Sequence, residues 1–321
     1  MDGKSTSTPW RAADTEVRSA APSEGRREAG AGQIDLLRGV RGTLTRWGLA
    51  LLTRSGQLWR VNATIRGRWF GQPVAIPLVF GHGIQHVRTS ERWMYDVVRK
   101  LLQRTPHAFV DVGANIGQTL LKVKMADGRR DYYGFEPNPV AVAYLQQLIT
   151  RNRFTHATVF PVGLSDHTAV VTLFLKDDVD PSASIVTGFR EPERYATAQG
   201  VSVHCGDAVL GQIEGLRVGI LKIDVEGAEL DVIAGCQRTI ARDRPFIVCE
   251  VLPVYDPTSA TGRLRLSRQQ ALRALLTRLG YDIYRANDQG RFEPLNDFTI
   301  DSDLARANYL FIPAGTPPGD L

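Results

Sequence analysis

The chain has 321 residues, 43% hydrophobic and 23% charged, enough apolar material to bury a core in one large or two small domains, so wholesale disorder is excluded. Its formal net charge is +5, and the basic residues are nearly all arginine, lysine occurring only at positions 4, 100, 122, 124, 176 and 222. Read as scattered among acids along the whole chain, these arginines argue against a dedicated face for nucleic acid or anionic lipid.

Residues 1 to about 32 are rich in Ser, Ala, Gly, Arg and Glu, with almost no large apolar side chains to offset the entropy of ordering, and are expected to form a disordered tail. From Ile34 to Leu58 apolar residues recur at helical spacing (Leu36, Leu37, Val40, Leu44, Trp47, Leu51), which predicts one or two short helices. Val61 to Val87 is β-like with Gly and Pro punctuation, Ala75 to Phe80 being the clearest strand, so 33–89 is expected to be an N-terminal helical and β-hairpin extension. The main domain, 90–321, opens with a helix. Ser90 is the expected N-cap, and Met94, Val97, Val98, Leu101 and Leu102 form one apolar stripe that stops before Pro106.

Apolar strand-like runs then alternate with helical patterns. The strands are Ala108 to Val112, Tyr132 to Phe135, Ala157 to Val162, Val218 to Ile223 and Phe246 to Val251. The helices between them are Gly117 to Met125, Pro139 to Arg151 with Asn138 as cap, and Ala228 to Ile240. This alternation predicts a parallel α/β sheet. Ala169 to Gly206 has no helical period and reads as strands and loop inserted near the sheet edge. Arg268 to Leu279 reads as a last helix, followed by strands at Tyr281 to Tyr284 and Tyr309 to Ile312.

In an open parallel sheet, ligands bind beyond the carboxyl ends of the strands, so the residues just after each strand carry the chemistry. The first such end is Asp111-Val-Gly113-Ala-Asn115-Ile-Gly117, a glycine turn into a helix that brings backbone close to a ligand. A dinucleotide fingerprint requires glycine where Asn115 and Gln118 stand. Asp111 suits a ligand bearing an ammonium group, such as the methionine portion of S-adenosyl-L-methionine; a plain strand-to-helix turn explains the segment equally well. Glu136, about 20 residues beyond the glycine turn, can accept both ribose hydroxyl protons, or simply complement the following helix N-terminus. At the third end, Ser165 and Asp166 are positioned for an adenine amino group with Leu164 packed on the ring, though Ser-Asp pairs often only satisfy turn donors.

The fourth end, Lys222-Ile-Asp224-Val-Glu226-Gly-Ala-Glu229, places three carboxylates and a lysine at a helix start. Macrodipole acids and an ion pair account for Glu229 and fit Asp224 poorly. Glu250 ends the fifth strand in the same way, so Asp224 and Glu250 are expected to border one crevice and to carry catalysis. Cys205, Cys236 and Cys249 form no CxxC pair, and the six histidines show no zinc-ligand spacing. The N-terminus lacks the apolar run of a secretion signal, and Gly48 to Leu52 is too short to span a bilayer, so a soluble, cytoplasmic protein without a membrane span is expected.

Taken together, DVGANIGQ, FEPNP, GLSD, LKIDVEGAE and RPFIVCEV, in this order, resemble the FkbM family of methyltransferases over roughly residues 90 to 251. The resemblance implies a class I, Rossmann-like fold: a seven-stranded, mostly parallel sheet with the last strand antiparallel and helices on both faces. It implies S-adenosyl-L-methionine as cofactor and a hydroxyl of a sugar, polyketide or related metabolite as acceptor. Asp111, Gly113, Asn115 and Gly117 then line the methionine side, Glu136 the ribose, Ser165 and Asp166 the adenine, and Asp224 the reaction centre. His204-Cys205-Gly206-Asp207 departs from the family pattern, which usually has leucine before the aspartate. No nucleic-acid partner is expected, and a divalent metal and a homo-oligomer are left open. The rival readings are an NAD-dependent oxidoreductase on a similar sheet and a catalytically silent binding module.

Overall fold

The computed structural model describes residues 40–88, 91–176, 183–189, 196–286, 291–298 and 307–317. The tail expected over residues 1 to 32, the start of the first expected helical stretch and Ser90 lie outside them.

Helix α1 (Val40–Arg54) leads through a 3-10 turn at Leu58–Arg60 to a hairpin of β1 (Asn62–Trp69) and β2 (Gln72–Val79). Trp69 pairs with Gln72, so Phe70 and Gly71 form the two-residue turn, and both have positive φ, 47° and 81°, as a hairpin of right-handed twist requires. After a short helix α2 (Ile84–Arg88) comes α3 (Arg92–Arg104), preceded by Glu91 and burying Met94, Val97, Val98, Leu101 and Leu102, the stripe the spacing predicts. The core then runs β3 (Ala108–Val112), α4 (Gln118–Ala126), β4 (Tyr132–Phe135), α5 (Pro139–Asn152) and β5 (Ala157–Phe160). Asn138 caps α5 by accepting from the Val140 amide, and Pro139 fills the first turn, where no amide is needed. The hairpin is clasped to this core: the Asn152 side chain bonds both N and O of Ala75 at 2.7 Å, and Tyr144 Oη donates to Pro77 O at 2.9 Å.

A three-stranded side sheet follows. In it β6 (Gly163–Ser165) runs parallel to β8 (Thr197–Cys205), and β7 (Ala169–Leu175) pairs antiparallel with β8 around Leu173, Leu175 and Val201. The chain re-enters the main sheet through α6 (Gly206–Leu210), β9 (Val218–Ile223), α7 (Glu229–Gly235), α8 (Gln237–Asp243) and β10 (Phe246–Glu250). Helix α9 (Ala260–Arg278) and strands β11 (Tyr281–Ala286), β12 (Phe292–Leu295) and β13 (Asn308–Pro313) complete it.

The main sheet has the order β12-β11-β13-β10-β9-β3-β4-β5. Strands β3, β4, β5, β9 and β10 pair in parallel, and β13, the last strand, is antiparallel to both β10 and β11. Helices α3, α4 and α5 cover one face and α6 to α9 the other, each over its own apolar cluster. The expected architecture is therefore present with one correction: among the described residues the sheet has eight strands, because the Phe292-Glu-Pro-Leu295 segment adds β12 at the edge. That segment carries a proline and no apolar alternation, the composition of an exposed edge strand. The single helix expected over 228–240 is two helices broken at Cys236, and Asp207 caps the second by accepting from Arg238 N and Thr239 N, both at 2.8 Å. Among the described residues no helix is long and apolar enough to cross a membrane.

Candidate active site

The order of strands reverses between β3 and β9, and the carboxyl ends of β3, β4, β9 and β10 open there into a cavity of about 580 Å³. The Gly113–Gly117 turn forms one side. Gly113 has φ 82°, and a Cβ there would lie 1.9 Å from the Asp224 carbonyl oxygen, so only glycine lets β3 and β9 part around the opening. Asn115 adopts φ 44°, which presents its amide to Glu136 Oε2 at 2.8 Å, while Asn138 N donates to Oε1 at 2.8 Å. Burial pushes the Glu136 carboxyl up to about 7 against the opposing pull of these two amides. Each carboxylate oxygen keeps a lone pair for a ligand hydroxyl.

The opposite side carries a line of charges. Lys222 Nζ lies 3.1 Å from Asp224 Oδ2 and 3.6 Å from Asp111 Oδ1. Burial alone lowers the Lys222 pKa, but Asp224 and Asp111 outweigh it and hold the ammonium charged. Glu250 bonds to Asp224, and that carboxylate, together with burial, raises the Glu250 pKa to about 9. The Glu250 carboxyl is therefore held protonated at neutral pH, beside the Asp224–Lys222 contact. Glu226, with φ 52°, and Asn308, opposite Glu250 in the antiparallel register, line the same wall. Leu173 of the side sheet closes the cavity with Ala183 and Ile185 of the segment bridged to β7 through Ser184, whose Oγ donates to the Glu226 carbonyl at 2.7 Å and ties this segment to the site. Among the described residues there is no group of three or more His, Cys, Asp or Glu side chains fit to hold a metal ion.

Of the residues singled out from sequence, Gly113, Asn115, Glu136, Asp224 and Glu250 line the cavity. Asp111, Gly117, Ser165 and Asp166 stand outside its lining. Asp111 is fully buried and accepts from Tyr132 Oη at 2.5 Å, its other oxygen facing Lys222; Gly134 has no side chain, which gives the Tyr132 ring room to reach it. Gly117 begins α4 with φ 88°, and a Cβ there would meet Leu145 and Leu148 of α5 at 2.7 and 3.0 Å, so it serves helix packing. Ser165 is buried, and its carbonyl abuts Gly235 of α7; Asp166 is exposed and bonds His167 at 2.6 Å. Leu164, expected against the adenine ring, does line the cavity. Sequence reasoning passed over Asn308, whose only signal is its register with Glu250. It also passed over Glu91, which lines the cavity and accepts from the buried Lys122 at 2.7 Å. His86 of α2 reaches the glycine loop from behind, its Nε2 donating to Ile116 O at 3.1 Å; burial lowers its pKa to about 3 and keeps it neutral.

Residues 111–283 match the Methyltransferase FkbM domain, a match that spans the glycine turn, the Glu136 loop and both catalytic candidates. The hexuronic acid methyltransferase AglP of Haloferax volcanii is 28% identical over 191 residues, which cover 58% of this chain and 73% of that protein. The 31-O-demethyl-FK506 methyltransferase FkbM of Streptomyces tacrolimicus is 28% identical over 184 residues, covering 48% of this chain and 67% of that protein. Among solved structures, Methyltransferase FkbM from Methylobacillus flagellatus KT aligns at 20% identity with a TM-score of 0.40, over 64% of this chain; the chain spans 43% of that structure's length. With more than half of its residues in the family match, and the sheet order and glycine turn in place, the chain belongs to the FkbM methyltransferase family.

Proposed function

We propose that the chain transfers a methyl group from S-adenosyl-L-methionine to a hydroxyl oxygen of a sugar or related small metabolite. The observation that carries this reading is the pairing, across one cavity, of a ribose-type carboxylate at Glu136 with the Asp224–Glu250 couple. The volume of about 580 Å³ suits a nucleoside-sized ligand beside a small acceptor. Glu136 would hold the ribose hydroxyls, Leu164 the adenine side and the backbone of 113–115 the methionine portion. When bound, the cofactor supplies an electrophilic methyl group on a sulfonium.

The chain's own residues then position the acceptor and take its proton. Asp224, oriented by Lys222, accepts the hydroxyl proton, while protonated Glu250 donates to Asp224 and fixes its geometry. Asp111 and Tyr132 act one layer behind, anchoring Lys222. The names of two relatives support oxygen as the methylated atom: AglP acts on a hexuronic acid, and NoeI of Sinorhizobium fredii, 25% identical over 187 residues, is a 2-O-methyltransferase.

The test is Asp224→Asn. Turnover with a hexuronic acid or other sugar acceptor is expected to fall by about 10²- to 10⁴-fold, with cofactor affinity within about threefold by calorimetry. An unchanged rate removes Asp224 from the role of base, and tight NAD binding without a response to S-adenosyl-L-methionine overturns the reading altogether.

A further inference from the structure

The arginines are not distributed as evenly as their number suggests. Between Asp35 and Glu91 the sequence holds eight of them and no acidic residue, more positive charge than the net +5 of the whole chain. Its described part, residues 40–88, is α1, the 3-10 turn, the hairpin and α2, and Arg54, Arg60, Arg66 and Arg68 are exposed on it. It also carries four of the large exposed apolar side chains of the molecule. Trp47 and Leu51, four residues apart and so on one face of α1, are 73% and 69% exposed; Trp59 and Phe80 are 55% and 61% exposed. The chain beside Phe80 passes the backbone of Trp59, since a Cβ on Gly81 would lie 3.7 Å from Trp59 N, and the Arg60 guanidinium lies 4.9 Å from the Trp59 ring centre.

We infer that this N-terminal segment docks the enzyme on an anionic phospholipid surface. The chemistry selects that occupant. Arginines without neighbouring acids are drawn to negatively charged headgroups, and tryptophan is at home where headgroups meet acyl chains. Leu51 and Phe80 gain by burial in such an interface and gain nothing against a phosphate backbone in water, which disfavours nucleic acid. A second copy of the chain would bring its own Arg54, Arg60, Arg66 and Arg68 against those of the first, which disfavours self-pairing through these residues. A helix that lies in the interface needs neither the length nor the uniform hydrophobicity of a spanning one.

The 321-residue chain is expected to sediment with vesicles of equal parts phosphatidylcholine and phosphatidylglycerol at about 0.1 M salt, and much less at about 1 M, where the screening length falls from about 10 to about 3 Å. Pure phosphatidylcholine vesicles retain little. Both Trp47→Ser/Leu51→Ser and Arg66→Gln/Arg68→Gln lower partitioning at least about tenfold, and the tryptophan emission of wild type shifts to the blue only with anionic vesicles. These side chains are exposed, so an unchanged melting temperature identifies the loss as one of docking. Equal binding to neutral vesicles overturns the inference, as does retention on duplex DNA without retention on vesicles, or a dimer that Trp47→Ser dissociates.

Discussion

Replacing Gly113 by alanine tests how closely the glycine turn is built around the site. The new Cβ would sit 1.9 Å from the Asp224 carbonyl, where side chains keep at least 3.0 Å, so the wall must yield by roughly 1 Å. It cannot yield freely. Gly113 N donates to Phe135 O at 2.9 Å and Asp224 N to Val112 O at 3.0 Å, which tie β3, β4 and β9 together at this level. The φ of 82° adds about 1–2 kcal/mol for any residue with a side chain. The displaced atom belongs to the proposed base, and a shift of that size at a reacting group lowers turnover by about 10²-fold. Steady-state kinetics with saturating cofactor, alongside a urea denaturation curve, separates the two effects. A variant with stability within about 0.5 kcal/mol and turnover within about twofold of wild type would show that the turn accepts a side chain.

Tyr132→Phe removes the hydroxyl that donates to buried Asp111, leaving an oxygen unsatisfied; stability falls by about 1–3 kcal/mol in urea denaturation. The folded state holds the Glu250 proton more tightly than the unfolded chain, since its pKa rises from 4.5 to about 9. That stabilisation is complete below the unfolded value and is lost as pH climbs toward about 9, so Glu250→Gln gains melting temperature relative to wild type across this window; a constant difference contradicts the coupling. Asp207→Ala strips the cap from α8 and costs about 0.5–2 kcal/mol by the same urea assay.

Much of the site was legible because the rule of strand ends is a rule of backbone direction. Gly113, Asn115, Glu136 and Asp224 follow strands, Glu250 is the last residue of one, and all reach the cavity. Asp111 shows the limit of that rule. It lies within β3, not after it, and alternation puts it on the face of Phe109, beneath the helices, with Val110 and Val112 on the other. Gly117 and Ser165 had the right neighbours in sequence, but their surroundings belong to packing against α5 and α7. Helix α9 begins at Ala260, well before the expected Arg268, because its first turns bury polar groups: Arg265 lies over Phe189 at 4.8 Å and donates to the Phe189 and Pro253 carbonyls. Hydrophobic periodicity is blind to a buried guanidinium. The break at Cys236 was equally hidden, since α7 and α8 keep one apolar period across it.

A crystal structure of the chain grown with S-adenosylhomocysteine shows where the nucleoside sits. The ribose hydroxyls are expected within hydrogen-bond distance of Glu136, with the sulfur turned toward Asp224 and Glu250. A nucleoside bound elsewhere, or ribose turned away from Glu136, contradicts this placement.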